Sequence, residues 1–188
     1  LSLDRNVITD KVLGQGQTPT YVFTPTYIEE GHLIQQPAYS KEPMAQRNEE
    51  AIKLLEEAGY SKANPLKFTI LYNTNENHKK VAIAAASMWK ANTKGLIDVK
   101  LENQEWKTYI DSRRAGRYDA ARAGWNADYN QATTFGNYFL SNSSNNTAKY
   151  ANPEYDKAIA ESYVATDAEG RAKAYAKAEE ILAKDFGI

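Results

Sequence analysis

Beyond residue 47 the apolar residues of this chain alternate between two spacings. Ala51, Leu54, Leu55 and Ala58 recur at i, i+3, i+4 and i+7, and Gly59 supplies a stop, which predicts a helix over about 48–58. After the Asn64-Pro65 break, 66–72 reads as a buried strand. A helix follows over 78–91, with Val81, Ala84, Ala85, Met88 and Trp89 on its inner stripe, Trp89 being assigned to the core. The next elements are a strand at 97–101, a helix at 104–114 closed by Gly116, and a strand at 118–123. Strand, helix, strand, helix, strand predicts a mostly parallel sheet with right-handed crossovers, in a three-layer α/β domain. Asn152-Pro153 opens a helix that runs to Val164, since Pro is favoured at the first helical position. Thr166-Asp167-Ala168-Glu169 has the form of a capping box and starts a last helix to about Lys184.

The first 47 residues lack this order. Leu3, Val7, Ile8 and Val12 fit the end of a helix that Gly14-Gln15-Gly16 stops. From Gln17 to Pro43 there are four prolines and little period, which predicts a long irregular segment laid over the surface. The expected organisation is one domain over 1–188, with 1–47 as helix end and surface segment and 48–188 as the α/β core. The chain opens on Leu1 without Met and closes on the apolar Phe186-Gly187-Ile188, so the domain is expected to belong to a longer protein.

Charge narrows the function. Twenty-three basic against 24 acidic residues leave a net charge of −1, which argues against a nucleic-acid or anionic-membrane surface. With no Cys, thiolate metal sites and disulfides are excluded. His32 and His78 form no His-Glu-x-x-His pattern, and Gly14-x-Gly16 lacks the rest of a phosphate loop, so neither a metal nor a nucleotide cofactor is expected. Glu105 and Asp128 are conceivable as a general acid/base pair, but nothing selects them from the other carboxylates, and no nucleophile motif is present. Thirteen Tyr and three Trp supply flat amphipathic surface of the kind a wet binding site uses.

One stretch is rich in chemistry. Arg122-Ala123-Gly124-Trp125-Asn126-Ala127-Asp128-Tyr129-Asn130 follows the third strand and sets a cation, an anion, an indole, a glycine and two amides within nine residues. At the carboxyl end of a parallel strand these residue types suit a ligand that carries both signs, such as a peptide zwitterion. An Arg122–Asp128 pair, with Trp125 filling the core, accounts for the same residues without function.

Three clusters carry a resemblance. They are Tyr72-Asn73-Thr74 with His78-Lys79-Lys80 and Trp89-Lys90, then 101–108 (Leu-Glu-Asn-Gln-Glu-Trp-Lys-Thr), then 122–130, with the Ser/Asn-rich 141–147 behind them. In this order they resemble the periplasmic oligopeptide-binding family of ABC peptide importers, and are similar to its murein-peptide-binding relatives, over the whole of 1–188. The resemblance covers the smaller of the two lobes that close on the peptide. It implies a non-catalytic, monomeric receptor outside the cytoplasmic membrane, with short extended peptides as ligands and a membrane permease and the remaining lobe as partners. Backbone pairing accepts any sequence, and water fills roomy side-chain pockets. By the same resemblance Asp128 takes the peptide's α-ammonium, while Arg122, Arg113 and His78 meet its carboxylate. Gly124 and Asn126 pair with its backbone, and Trp106 and Trp125 wall its side-chain pockets. Asn126 stands where a relative has Cys, and Leu13 where it has Lys, which bears on the choice between oligopeptide and murein peptide. A peptide or cell-wall hydrolase is the alternative from another class.

Overall fold

The computed structural model describes residues 1–186. Its regular elements are α1 (Met44–Glu57), β1 (Leu66–Asn73), α2 (Glu76–Asn92), β2 (Ile97–Gln104), α3 (Trp106–Arg114), β3 (Ala120–Ala121), α4 (Thr133–Gly136), α5 (Pro153–Val164) and α6 (Ala168–Phe186). A π-helical stretch at Val7–Leu13 and short 3₁₀ turns at Gly31–Leu33, Ala38–Lys41 and Asn137–Phe139 complete them. The chain groups into two compact units: 1–19 with 41–123, and 20–40 with 124–188. This division differs from the single unit with a break at 47/48 that hydrophobic spacing suggests.

The first unit holds the sheet. All three strands are parallel in the order β2-β1-β3, with Leu66 opposite Ile97, Asn73 opposite Gln104, and Ile70 and Leu71 opposite Ala120 and Ala121. The central β1 has its last four residues buried, while β2, on an edge, exposes 100–103. Phe68, Ile70 and Tyr72 alternate onto one face and pack with Val99, Ala120 and, from α2, Ala82 and Trp89. Trp89 meets Phe68 edge-on at 5.4 Å, so it is a core residue as its place on the stripe predicts. The inner stripe of α1 lies one position from the expected one. Arg47, Asn48, Ala51, Ile52 and Leu55 turn inward, and Leu54 is 49% exposed. The third strand is two residues long rather than six, although the Arg122 N–H still donates to Leu71 O at 2.8 Å. Gly59 and Gly116 close α1 and α3 with φ of 88° and 68°, the left-handed conformation that a helix stop requires.

The second unit is helical. Its core gathers Phe135, Tyr138 and Phe139 around Tyr150, Tyr155, Ile159, Tyr175 and Leu182 of α5, α6 and the loop before them. Residues 20–40 do not lie over this surface: Val22, Ile28 and Ile34 are 4–7% exposed and belong to the core. Polar ties hold them there. The buried Glu179 carboxylate accepts from the N–H groups of Phe23 (2.9 Å) and Thr24 (2.7 Å) and from the Thr24 hydroxyl (2.7 Å). Arg171 meets Glu30, itself 2% exposed, at 2.5 Å. The start of α6 also departs from expectation. Asp167 accepts the Gly170 N–H at 2.7 Å, so the capping side chain is Asp167 rather than Thr166.

Candidate functional site

The eight candidate residues divide evenly between the units. His78, Trp106, Arg113 and Arg122 belong to the first, and Gly124, Trp125, Asn126 and Asp128 to the second.

In the first unit, β1 and α2 place His78. Asn75 caps α2, its side chain accepting the N–H groups of Asn77 (2.9 Å) and His78 (3.1 Å). The His78 ring then lies over the strand end, with Nδ1 2.7 Å from Oδ1 of the buried Asn73. With Nδ1–H donating to that oxygen, Nε2 is left for a ligand. Helix α3 places the rest. Glu105 caps it by accepting the Lys107 N–H at 2.9 Å, a structural role that leaves less of this carboxylate for acid/base work. Trp106 stands 57% exposed at the first turn. Arg113, one turn beyond Tyr109, holds its guanidinium 5.6 Å over the Tyr109 ring. Arg122 is half-buried just past β3.

Arg122 is coupled to both Arg113 and His78. Burial depresses the Arg122 guanidinium below its ordinary value, the Tyr109 phenol works against that, and Arg113 adds to the depression. His78 is likewise depressed, by burial first and by Arg122 second. Among the described residues neither Arg122 nor His78 has a carboxylate partner; Asp119, a conceivable one, accepts the Thr69 N–H at 2.9 Å. Arg122 and His78, partly desolvated and without a carboxylate partner among the described residues, are electrostatically prepared for an anion.

In the second unit Gly124, Asn126 and Asp128 are exposed. The Asp128 N–H donates to Thr134 Oγ1 at 3.1 Å, tying the loop to α4, while the carboxylate is free of ion pairs and hydrogen bonds among the described residues. Its neighbours Ala127, Tyr129 and Asn130 line an open hollow of about 430 Å³ with Pro25, Tyr27, Ile28 and Phe135. Trp125 is less available than a pocket wall. It is half-buried, meets Tyr138 edge-on at 5.2 Å and packs on the aromatic core, its indole Nε1 buried without an acceptor among the described residues. A larger groove of about 620 Å³, between 35–39 and α6, contains none of the eight residues.

Sequence reasoning gave no role to three supporting residues: Asn73 beside the His78 ring, Thr134 on the Asp128 N–H, and Tyr109, whose ring faces the Arg113 guanidinium and whose hydroxyl holds the Arg122 carbonyl. Asn73 stands in the first motif cluster, and Tyr109 left its i, i+3, i+7 spacing with Trp106 and Arg113. Among the described residues no cluster of His, Asp and Glu could hold a metal ion, and no helix is long and apolar enough to cross a membrane.

Comparison with known proteins gives a consistent result. The family model described as bacterial extracellular solute-binding proteins, family 5 Middle, matches residues 1–147. The chain is 97% identical over all its 188 residues to the periplasmic oligopeptide-binding protein OppA of Haemophilus influenzae, of which it covers 35%. It is 51% identical to OppA of Salmonella typhimurium, covering 34%. A crystal structure of Haemophilus influenzae OppA in complex with RPPGFSPFR superposes with a TM-score of 0.96 at 96% identity, over 99% of this chain and 36% of that one. The chain therefore spans about a third of the length of the curated relatives it matches.

Proposed function

This chain belongs to the bacterial extracellular solute-binding proteins of family 5, and from that membership we propose that it forms part of a periplasmic receptor that binds short extended peptides for an ABC importer. The observation that carries the proposal is the group formed by Arg122, Arg113 and His78, in which Arg122 and His78 have no counter-charge among the described residues. Such a group takes a carboxylate, and a charge-assisted bond to an arginine fork is stronger than a neutral one. Asp128 takes the complementary role. An exposed carboxylate whose backbone is pinned, and whose oxygens are unengaged among the described residues, receives the peptide's α-ammonium. Trp106, which projects from the first turn of α3, offers a face to side chains, and the exposed Gly124 and Asn126 offer backbone groups. The role is binding alone, with a membrane permease as the partner that receives the peptide.

Calorimetric titration tests this in a full-length family member carrying this segment. Trialanine, tetraalanine and pentaalanine bind; N-acetylation and C-terminal amidation each weaken binding at least tenfold; mass spectrometry after incubation finds the peptides intact. Equal affinity for free and doubly blocked peptides refutes the reading, and peptide cleavage refutes the assignment as a receptor.

A further inference from the structure

One buried side chain touches three of the four candidate residues of the first unit. Tyr109 is 1% exposed and sits at the middle of α3. Trp106, Tyr109 and Arg113 share one helix face by their i, i+3, i+7 spacing. The Tyr109 ring lies 5.8 Å from the Trp106 ring at 30°, and it carries the Arg113 guanidinium 5.6 Å from its centroid. Its hydroxyl leaves the helix altogether and donates to the main-chain oxygen of Arg122.

That last bond falls at a place where the backbone loses support. Strand β3 ends at Ala121, and no regular element follows until α4. The Arg122 N–H is the last group of this segment that the sheet holds, through Leu71 O at 2.8 Å. The Tyr109 hydroxyl holds the carbonyl of the same residue. Both main-chain groups of Arg122 are thereby fixed, one by the sheet and one by the helix, before its side chain begins. A guanidinium whose base is held this way surrenders less freedom when an anion arrives, which is the general advantage of preorganisation. The cation–π contact restricts Arg113 in the same sense.

We propose that Tyr109 is the positioning residue of the cationic group: it sets where Arg122 and Arg113 present their charge, and so how strongly a free carboxylate is preferred over a neutral chain end. This rests on the reading of those cations as carboxylate ligands. Tyr109 touches no ligand itself. Its hydroxyl acts through the Arg122 backbone and its ring through Arg113 and Trp106, so the two contributions separate by substitution.

The test uses Tyr109→Phe and Tyr109→Leu in a full-length family member carrying this segment, titrated calorimetrically with trialanine, tetraalanine and pentaalanine as free acids and as C-terminal amides. The readout is the ratio of amide to acid Kd, which a loss of general stability leaves unchanged. Tyr109→Phe keeps the ring and the packing volume, so it folds, and it reduces the ratio by about 3- to 10-fold, the worth of one neutral hydrogen bond, with amide affinity unaltered. Tyr109→Leu reduces it further because the ring contacts are lost as well. An unchanged ratio in Tyr109→Phe, or equal losses on acid and amide, overturns the inference. An unmutated protein that fails to prefer the acid overturns the carboxylate reading itself, and that result is visible before any variant is made.

Discussion

Glu179 offers the most direct test of how residues 20–40 are built into the second unit. Its carboxylate, 8% exposed, is the acceptor for two main-chain N–H groups and one hydroxyl on Phe23 and Thr24. Glu179→Ala strands all three donors, and Thr24 is itself only 2% exposed. At about 1–3 kcal/mol for each buried donor left unsatisfied, and counting the half-buried Phe23 N–H at the low end, the loss is about 3–7 kcal/mol. Against a total of about 5–15 kcal/mol for a typical domain, that is a large share. Glu179→Gln keeps the volume and one acceptor oxygen but turns an amide N–H₂ toward a donor, so its cost is about 1–3 kcal/mol. Urea unfolding followed by circular dichroism measures both, with the slope against urea unchanged. A loss below about 1 kcal/mol for Glu179→Ala refutes the reasoning, because buried donors without water or acceptor cannot be that inexpensive. The pH dependence supplies an independent check. Burial pushes the Glu179 carboxyl up from its ordinary value, although the Thr24 hydroxyl and the two N–H groups pull it down. A folded-state value above the unfolded one means that the folded chain holds the proton over more of the pH range. The contribution of this group to stability therefore falls as pH rises from 4.5 through the raised value, and Glu179→Gln flattens that slope.

Three further outcomes are expected. Asp128→Ala leaves stability within about 0.5 kcal/mol, since its exposed carboxylate makes no hydrogen bond or ion pair among the described residues; in a full-length family member it weakens free-amine peptides by about 2–5 kcal/mol by calorimetry and leaves N-acetylated ones unchanged. The His78 ring titrates below 6.5 in the unliganded protein by NMR, and both Arg122→Gln and a bound peptide carboxylate move that midpoint upward; because its folded value is the lower one, His78 detracts from stability as pH falls through this window, and a midpoint at or above 6.5 refutes the assignment. Gly31→Ala destabilises the chain by about 1–3 kcal/mol or more in thermal unfolding, through overpacking, because its Cβ would stand 2.1 Å from the main-chain oxygen of Pro25.

Most elements of the first unit were legible because they are encoded locally, although β3 is shorter than expected. A central strand such as Leu66–Asn73, buried over its last four residues, must be rich in apolar residues, and helices must carry a stripe and a stop. The four-residue α4 was not legible, being too short to show a period. Nor was the place of residues 20–40. Val22, Ile28 and Ile34 follow no repeat, and the ties that bury them run to Arg171 and Glu179, some 140–156 residues away.

What the sequence by itself determined is the parallel sheet, the family, and which eight residues to watch. Motif order and side-chain chemistry are properties of the chain, and they survive without coordinates. Tertiary structure alone decided which of those residues hold one another. It set His78 on Asn73, engaged Trp125 with the aromatic core, left the Asp128 carboxylate unengaged among the described residues, and put Tyr109 between the Arg113 guanidinium and the Arg122 backbone. The physical reason is that charge and burial are settled by neighbours in space. A cation is a structural partner or a ligand-binding group according to whether an acid stands beside it, and no spacing along a chain states that in advance.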